Sequence, residues 1–180
     1  MKKISLLLFC LLLFGIVSIQ AAPKSVGVVI IGTSDFRTPD YYNILTDKLP
    51  KLFTPSNYSL SIGTESQNRY QAYWNNKGLL TEQTASKADL LDFANQSNYD
   101  NVLFLILSQP IVDTHKVILR RDSTRVSLDV RAIYIDAKQK TIVSNVMTTQ
   151  EDDSKTSQLR AKSGAFGKAI DFFVTNIKGI

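Results

Sequence analysis

Residue types that could do chemistry gather in three places. The first is the run from Gly32 to Asp40, GTSDFRTPD, where Ser34, Asp35 and Arg37 offer a hydroxyl, a carboxylate and a guanidinium within four positions. It follows an apolar run and precedes a helical pattern, the place where open α/β sheets bind ligands. A serine nucleophile needs a base, and His115 is the chain's single histidine. Nothing in the spacing joins the two, and Ser34 has no nucleophile-elbow context. The glycine spacing that cradles phosphates is absent as well. An ordinary capped loop is the favoured reading, with a small-ligand site or a hydrolase as the alternative.

The second place is Tyr70, Tyr73 and Trp74, at i, i+3 and i+4. On a helix they share one side and could form an aromatic platform for a glycan or a partner protein. They could equally be the buried stripe of an amphipathic helix, and core is the favoured reading of the two. The third is the segment from Thr124 to Asn145, where Asp129, Arg131 and Asp136 fall within eight positions. Strict alternation puts Val126, Leu128, Val130, Ala132 and Tyr134 on one face and Ser127, Asp129 and Arg131 on the other. An ion pair on a sheet explains Asp129 and Arg131 without catalysis. A further basic group, His115-Lys116, Arg120-Arg121 and Arg125, reads as an edge guarded by cations.

The elements that must position these residues can be read in order. Val26 to Gly32 is a short continuous apolar run, which fits a strand buried on both faces. Thr38, Pro39 and Asp40 are a helix start, with Tyr41, Leu45, Leu49 and Phe53 on its inner side until Pro50 ends or kinks it. Tyr58, Leu60 and Ile62 alternate as a second strand. Thr64 and Gln67 have the spacing of a capping box, and Gly78 suits a helix stop. Another helix begins near Ser86 with Leu90, Leu91 and Ala94 inward. Asn101 to Leu107, NVLFLIL, is the natural central strand, with Pro110 ending its pairing. The polar run Asp136 to Lys140 turns a hairpin that returns from Thr141. Last comes a helix with Leu159, Phe166, Ile170, Phe173 and Ile177 as its apolar stripe. Gly164 and Gly167 weaken it and are explained by close helix–sheet contact. The expected fold is α/β (α+β), a single domain with a mixed sheet of about five strands and flanking helices, in the order β-α-β-α-α-β-β-β-α.

The chain's beginning bears on compartment. Lys2 and Lys3 precede an apolar stretch from Leu6 to Phe14, which breaks at Gly15 and ends in Ser-Ile-Gln-Ala-Ala. That succession reads as a secretory signal peptide over residues 1–21, leaving 22–180 as one domain with no transmembrane segment. Cys10 lies inside the apolar run behind large residues, so acylation there is not expected. Loss of the two lysines lowers the net charge from +5 to +3 and removes the chain's one cysteine. With no cysteine and one histidine, neither a disulfide nor a transition-metal site is expected, and no cofactor motif is present. Basicity this modest, without a clustered basic helix, speaks against nucleic acid. It points at most toward an anionic envelope polymer or lipid as partner.

Two passages carry a resemblance. SKADLLDFANQSNYDNVLFLIL resembles the helix-then-strand passage of envelope domains of the LpoB, CsgG and TolB amino-terminal type. VSLDVRAIYIDAKQKTIVSN is similar to their hairpin, with Arg131, Asp136, Ile142, Val143 and Ser144 at the matching positions, and the terminal amphipathic helix fits too. The resemblance covers about residues 26–178 and is strongest over 86–147. It implies a mixed sheet flanked by helices and a non-enzymatic domain that contacts other envelope proteins. The expected function is therefore an exported, non-catalytic binding module, periplasmic or extracellular in a bacterium. The family's lipoprotein cysteine, its pore-forming hairpins and its propeller repeats are all missing here.

Overall fold

The computed structural model describes residues 22–78, 85–115, 123–178 and 180. Its strands are β1 (Lys24–Ile31), β2 (Tyr58–Ser61), β3 (Asn101–Leu107), β4 (Ile111–His115), β5 (Ser123–Asp136) and β6 (Thr141–Ser154). Its helices are α1 (Pro39–Lys48), α2 (Thr64–Asn76), α3 (Lys87–Gln96) and α4 (Gln158–Asn176). The order is the one read from the sequence, with the short strand β4 added after Pro110. The signal segment and the basic residues Lys116, Arg120 and Arg121 lie outside the described residues.

One mixed sheet holds all six strands. β1 pairs in parallel with β2 and β3, while β3, β4 and β6 run antiparallel to β5. β3 and β4 occupy successive stretches of the same edge of β5, facing Val130–Asp136 and Ser123–Ser127, and β6 takes the other edge. Each face of the sheet has its own core because successive side chains alternate. Val28, Ile30, Leu103, Leu105, Leu128, Val130 and Ala132 face α1 and α4, which contribute Tyr41, Leu45, Phe166, Ile170 and Phe173. Val29, Ile31, Val102, Phe104, Ile133 and Ile135 face α2 and α3, which contribute Tyr70, Trp74, Leu90 and Phe93. β1 and β3 are covered on both sides, and this is why their sequences are continuously apolar.

The helix ends show where local pattern and tertiary demand part. α3 has the full capping box: the Asp89 amide donates to Ser86 Oγ and the Ser86 amide to the Asp89 carboxylate. α2 does not. Its N-cap is Gly63, so Thr64 is already helical and the expected Thr64–Gln67 box is not formed. Gln67 is buried and accepts a hydrogen bond from the Ile30 amide of β1 at 3.1 Å instead. Thr38 occupies the N-cap of α1 with Pro39 in the first turn, yet its side chain makes no capping bond. Pro50 ends α1 in a short 3-10 turn over Leu49–Lys51.

α4 lies across β5 and β6 by its small and apolar side: Ala161, Ala165, Phe166, Ala169, Ile170 and Phe173 are buried. Leu159 is a correction. It stands 55% exposed although Ala161, in the same first turn, is fully buried, so that turn already meets the core but by another side than Leu159. Gly164 is needed for close approach, since a Cβ there would overlap the Asp152 carboxylate. Gly167 is not, because a Cβ would meet only the Lys48 stem at an ordinary 3.6 Å.

Candidate interaction surface

The hairpin built by β5 and β6 is longer than the helical layer behind it. α2 and α3 cover the half next to its turn, through Ile133 and Ile135. Beyond that level the same face of the sheet carries rows of residues set by register. Met147 lies opposite Arg131, and Arg131 opposite Ile106 of β3. Thr149 lies opposite Asp129. Glu151 faces Ser127, which faces Ile111 of β4, and Asp153 faces Arg125, which faces Asp113. The apolar members of this face are half-buried Ile106 together with Ile111 and Met147, which are 70% and 63% exposed. A groove of about 500 Å³ runs over it, lined by Ile106, Ser108, Gln109, Asp129, Arg131 and Met147.

The charged side chains on this face are held in place by neighbours on β6. Thr149 Oγ1 donates to the Asp129 carboxylate at 2.6 Å, and Arg131 Nε donates to Asn145 Oδ1 at 2.7 Å. The expected ion pair on the sheet therefore forms elsewhere. Arg125 pairs with Asp153 across the strands at 3.2 Å, and Asp153 beside it raises the guanidinium above its ordinary pKa. Ser108, in the break between β3 and β4, locks that break to β5: its amide donates to the Asp129 carbonyl and its hydroxyl accepts from the Asp129 amide. Asp136 does what a hairpin turn asks of it, its carboxylate accepting from the Gln139 amide at 2.8 Å. The long open face was not foreseen from the sequence. The signal available for it was Met147, an apolar residue in an outward row otherwise made of Asn145, Thr149, Glu151 and Asp153.

The loop after β1 is tied down by ordinary contacts. Asp35 pairs with Lys162 of α4 at 3.0 Å, and Arg37 donates to the Gly32 carbonyl at 3.2 Å. Ser34 is exposed. His115 sits on β4 beside Asp113 at 3.2 Å. Ile31 is level with Ile106 and Arg131, whereas His115 is level with Ser123, farther along β5. At about 3.4 Å per residue that separation is roughly 27 Å. The chain from Ile31 to Ser34 spans at most about 10 Å. The hydroxyl and the imidazole do not meet.

The aromatic trio divides. Tyr70 and Trp74 are buried, stacked on each other at 5.8 Å, with Phe93 edge-on to Tyr70 at 5.1 Å. They are core, and an exposed platform of all three is not what the fold builds. Tyr73 reaches the rim, where its hydroxyl donates to the Asp92 carboxylate at 2.8 Å and Lys77 lies 5.1 Å above its ring. Burial raises the Tyr73 pKa, while Lys77 and then Tyr73 hold Asp92 at about 2. A hollow of about 350 Å³ between α2 and α3 is bordered by Arg69, Tyr73, Asn76, Lys77 and Gln96. Among the described residues no group of three His, Cys, Asp or Glu side chains is placed to hold a metal ion. No helix among them is long and apolar enough to cross a membrane.

No family model matches the chain, and no curated protein does. Solved structures do. Lipoprotein GNA1162 from Neisseria meningitidis is similar at 13% identity and a TM-score of 0.47, over 86% of this chain and 98% of that one. The PelC dodecamer from Paraburkholderia phytofirmans is similar at 12% identity and a TM-score of 0.46, over 88% and 92%. The LpoB C-terminal domain from Salmonella enterica is similar at 12% identity and a TM-score of 0.37, over 72% and 84%. The last is of the type that the hairpin and terminal helix of this sequence resemble.

Proposed function

We propose that residues 22–180 form an exported, non-catalytic module of a bacterial envelope, periplasmic or extracellular, that binds a protein partner through the open face of the β5–β6 hairpin. The observation that carries this reading is a sheet face that no described residue covers, with Ile111 and Met147 exposed beside the groove. Its apolar points are few and set among hydrogen-bonded charges, the mixture found at interfaces that form and separate. The succession Lys2-Lys3, apolar run and Ala21-Ala22 supports export. The loop with Ser34, Asp35 and Arg37 supports no hydrolase, because its hydroxyl has no imidazole in reach and its charges are used in holding the loop.

The test is capture of partners from an envelope extract by the native protein and by an Ile111→Asp/Arg131→Ala variant. Both positions lie on the open face, so thermal stability should change little. The expected result is a partner identified by mass spectrometry with the native protein and lost with the variant. Capture that is indifferent to the variant would remove this face as the binding surface. An activity abolished by Ser34→Ala alone would overturn the non-catalytic reading.

A further inference from the structure

We propose that the free edge of β6 pairs antiparallel with β6 of a second copy, making a symmetric homodimer with one continuous sheet. This concerns the edge of the hairpin, not its face, and stands apart from whichever partner the face takes. β6 runs from Thr141 to Ser154 and has β5 on one side only. α4 packs on its face through Ala161, Ala165 and Phe166, and among the described residues the edge is met at one point, where Lys168 donates to the Glu151 carbonyl at 2.8 Å. Natural edge strands are blunted by proline, by inserted lysines or by shortness. β6 carries no proline and is fourteen residues long, and its protections are local, the extra residue Val143 between Ile142 and Ser144 and Lys168 at the Glu151 carbonyl, whereas the other edges, β2 and β4, are four and five residues long. Its Thr141, Ile142, Val143, Val146, Thr148 and Thr149 are β-branched residues that favour pairing.

Charge selects the direction. The hairpin turn at one end of β6 carries Lys138 and Lys140, and the other end carries Glu151, Asp152 and Asp153. A parallel neighbour would set acids against acids. An antiparallel copy, with its two-fold axis between Asn145 and Met147, sets the acidic end of each strand beside the lysine turn of the other. Among the described residues Glu151 and Lys140 belong to no ion pair within the chain, so each is available to the second copy. The same arrangement brings the two Met147 side chains together and covers both.

The experiment is sedimentation of the whole chain at roughly 100 µM, a concentration that populates a modest edge contact. A dimer is expected, weakened about tenfold by Lys140→Glu or by Glu151→Lys alone, since each reversal spoils two symmetric pairs. The doubly reversed protein should recover the native affinity. In a Cys10→Ser background, an equimolar mixture of Asn145→Cys and Met147→Cys proteins should form a disulfide dimer on mild oxidation, because residues facing each other across an antiparallel ladder lie within disulfide reach. Val112→Cys on β4 should not. A monomer at this concentration, a dimer indifferent to the single reversals, or cross-linking at position 112 but not in the mixture would each overturn the proposal.

Discussion

Gly32 and Asp100 each close a junction on which the rest of the sheet depends. Gly32 ends β1 at a φ of +132°, and a Cβ there would come 2.5 Å from the carbonyl oxygen of Leu107 on β3. Both backbone geometry and space exclude a side chain, so Gly32→Ala should cost about 2–4 kcal/mol in chemical denaturation. Near-native stability would mean that the loop after β1 relaxes freely. Asp100 joins three elements: it accepts from the Ser25 amide at 2.7 Å and from Ser25 Oγ at 2.9 Å, and it pairs with Lys138 of the hairpin turn at 2.6 Å. Lys138 first, then the Ser25 amide, hold its carboxyl at about 2, below the usual value near about 3.9. The unfolded chain therefore binds this proton more readily, and the contribution of Asp100 is complete above about pH 4 and lost as pH falls through about 2. Asp100→Asn should lower stability at pH 7 by about 2 kcal/mol. It should also flatten the loss of stability between pH 4 and pH 2 in urea titrations. A pH profile parallel to the native one would show that other carboxylates carry that slope.

At the scale of elements, burial of the α2 aromatics makes a direct test. Trp74 is 2% exposed and packed with Tyr70, so Trp74→Ala should cost about 3–5 kcal/mol. Leu159→Glu should change stability by less than about 0.5 kcal/mol, since Leu159 faces water. These two residues also show what could be read from sequence and what could not. Period alone identified Phe166, Ile170 and Phe173 as the inner side of α4, and with them Ile177, which is buried just past the helix end. It also placed Leu159 there, because a repeat does not say which of its apolar positions finds a neighbour to pack on. The hairpin was legible from alternation and from the polar turn at Asp136. Its cross-strand partners were not. They depend on the register shift of β6 beside Tyr134 and Ile135, and that shift brings Thr149 to Asp129 and Asn145 to Arg131. Gln67 had the spacing of a cap and was drawn instead to the backbone of β1. The open face was hidden for a similar reason. It exists because α2 and α3 stop short of the hairpin's end, a matter of relative lengths in space.

For the whole molecule, the two cores on either side of one sheet must supply the stability, because the sequence beyond residue 21 has no cysteine. Large side chains such as Phe36, Phe53, Phe93, Phe104, Phe166 and Phe173 are fully or almost fully buried, each contributing about 1.5–3 kcal/mol relative to exposure. The sheet begins at Lys24, three residues after Ala21. Cleavage at the expected point would leave Ala22 and Pro23 ahead of β1 and take nothing from either core. The exported protein should therefore begin at Ala22 by amino-terminal sequencing. It should also refold from urea with the same midpoint in the presence and absence of a thiol reductant. A retained leader, or a midpoint lowered by reductant, would contradict both the reading of residues 1–21 and the claim that burial and sheet hydrogen bonds alone hold this fold.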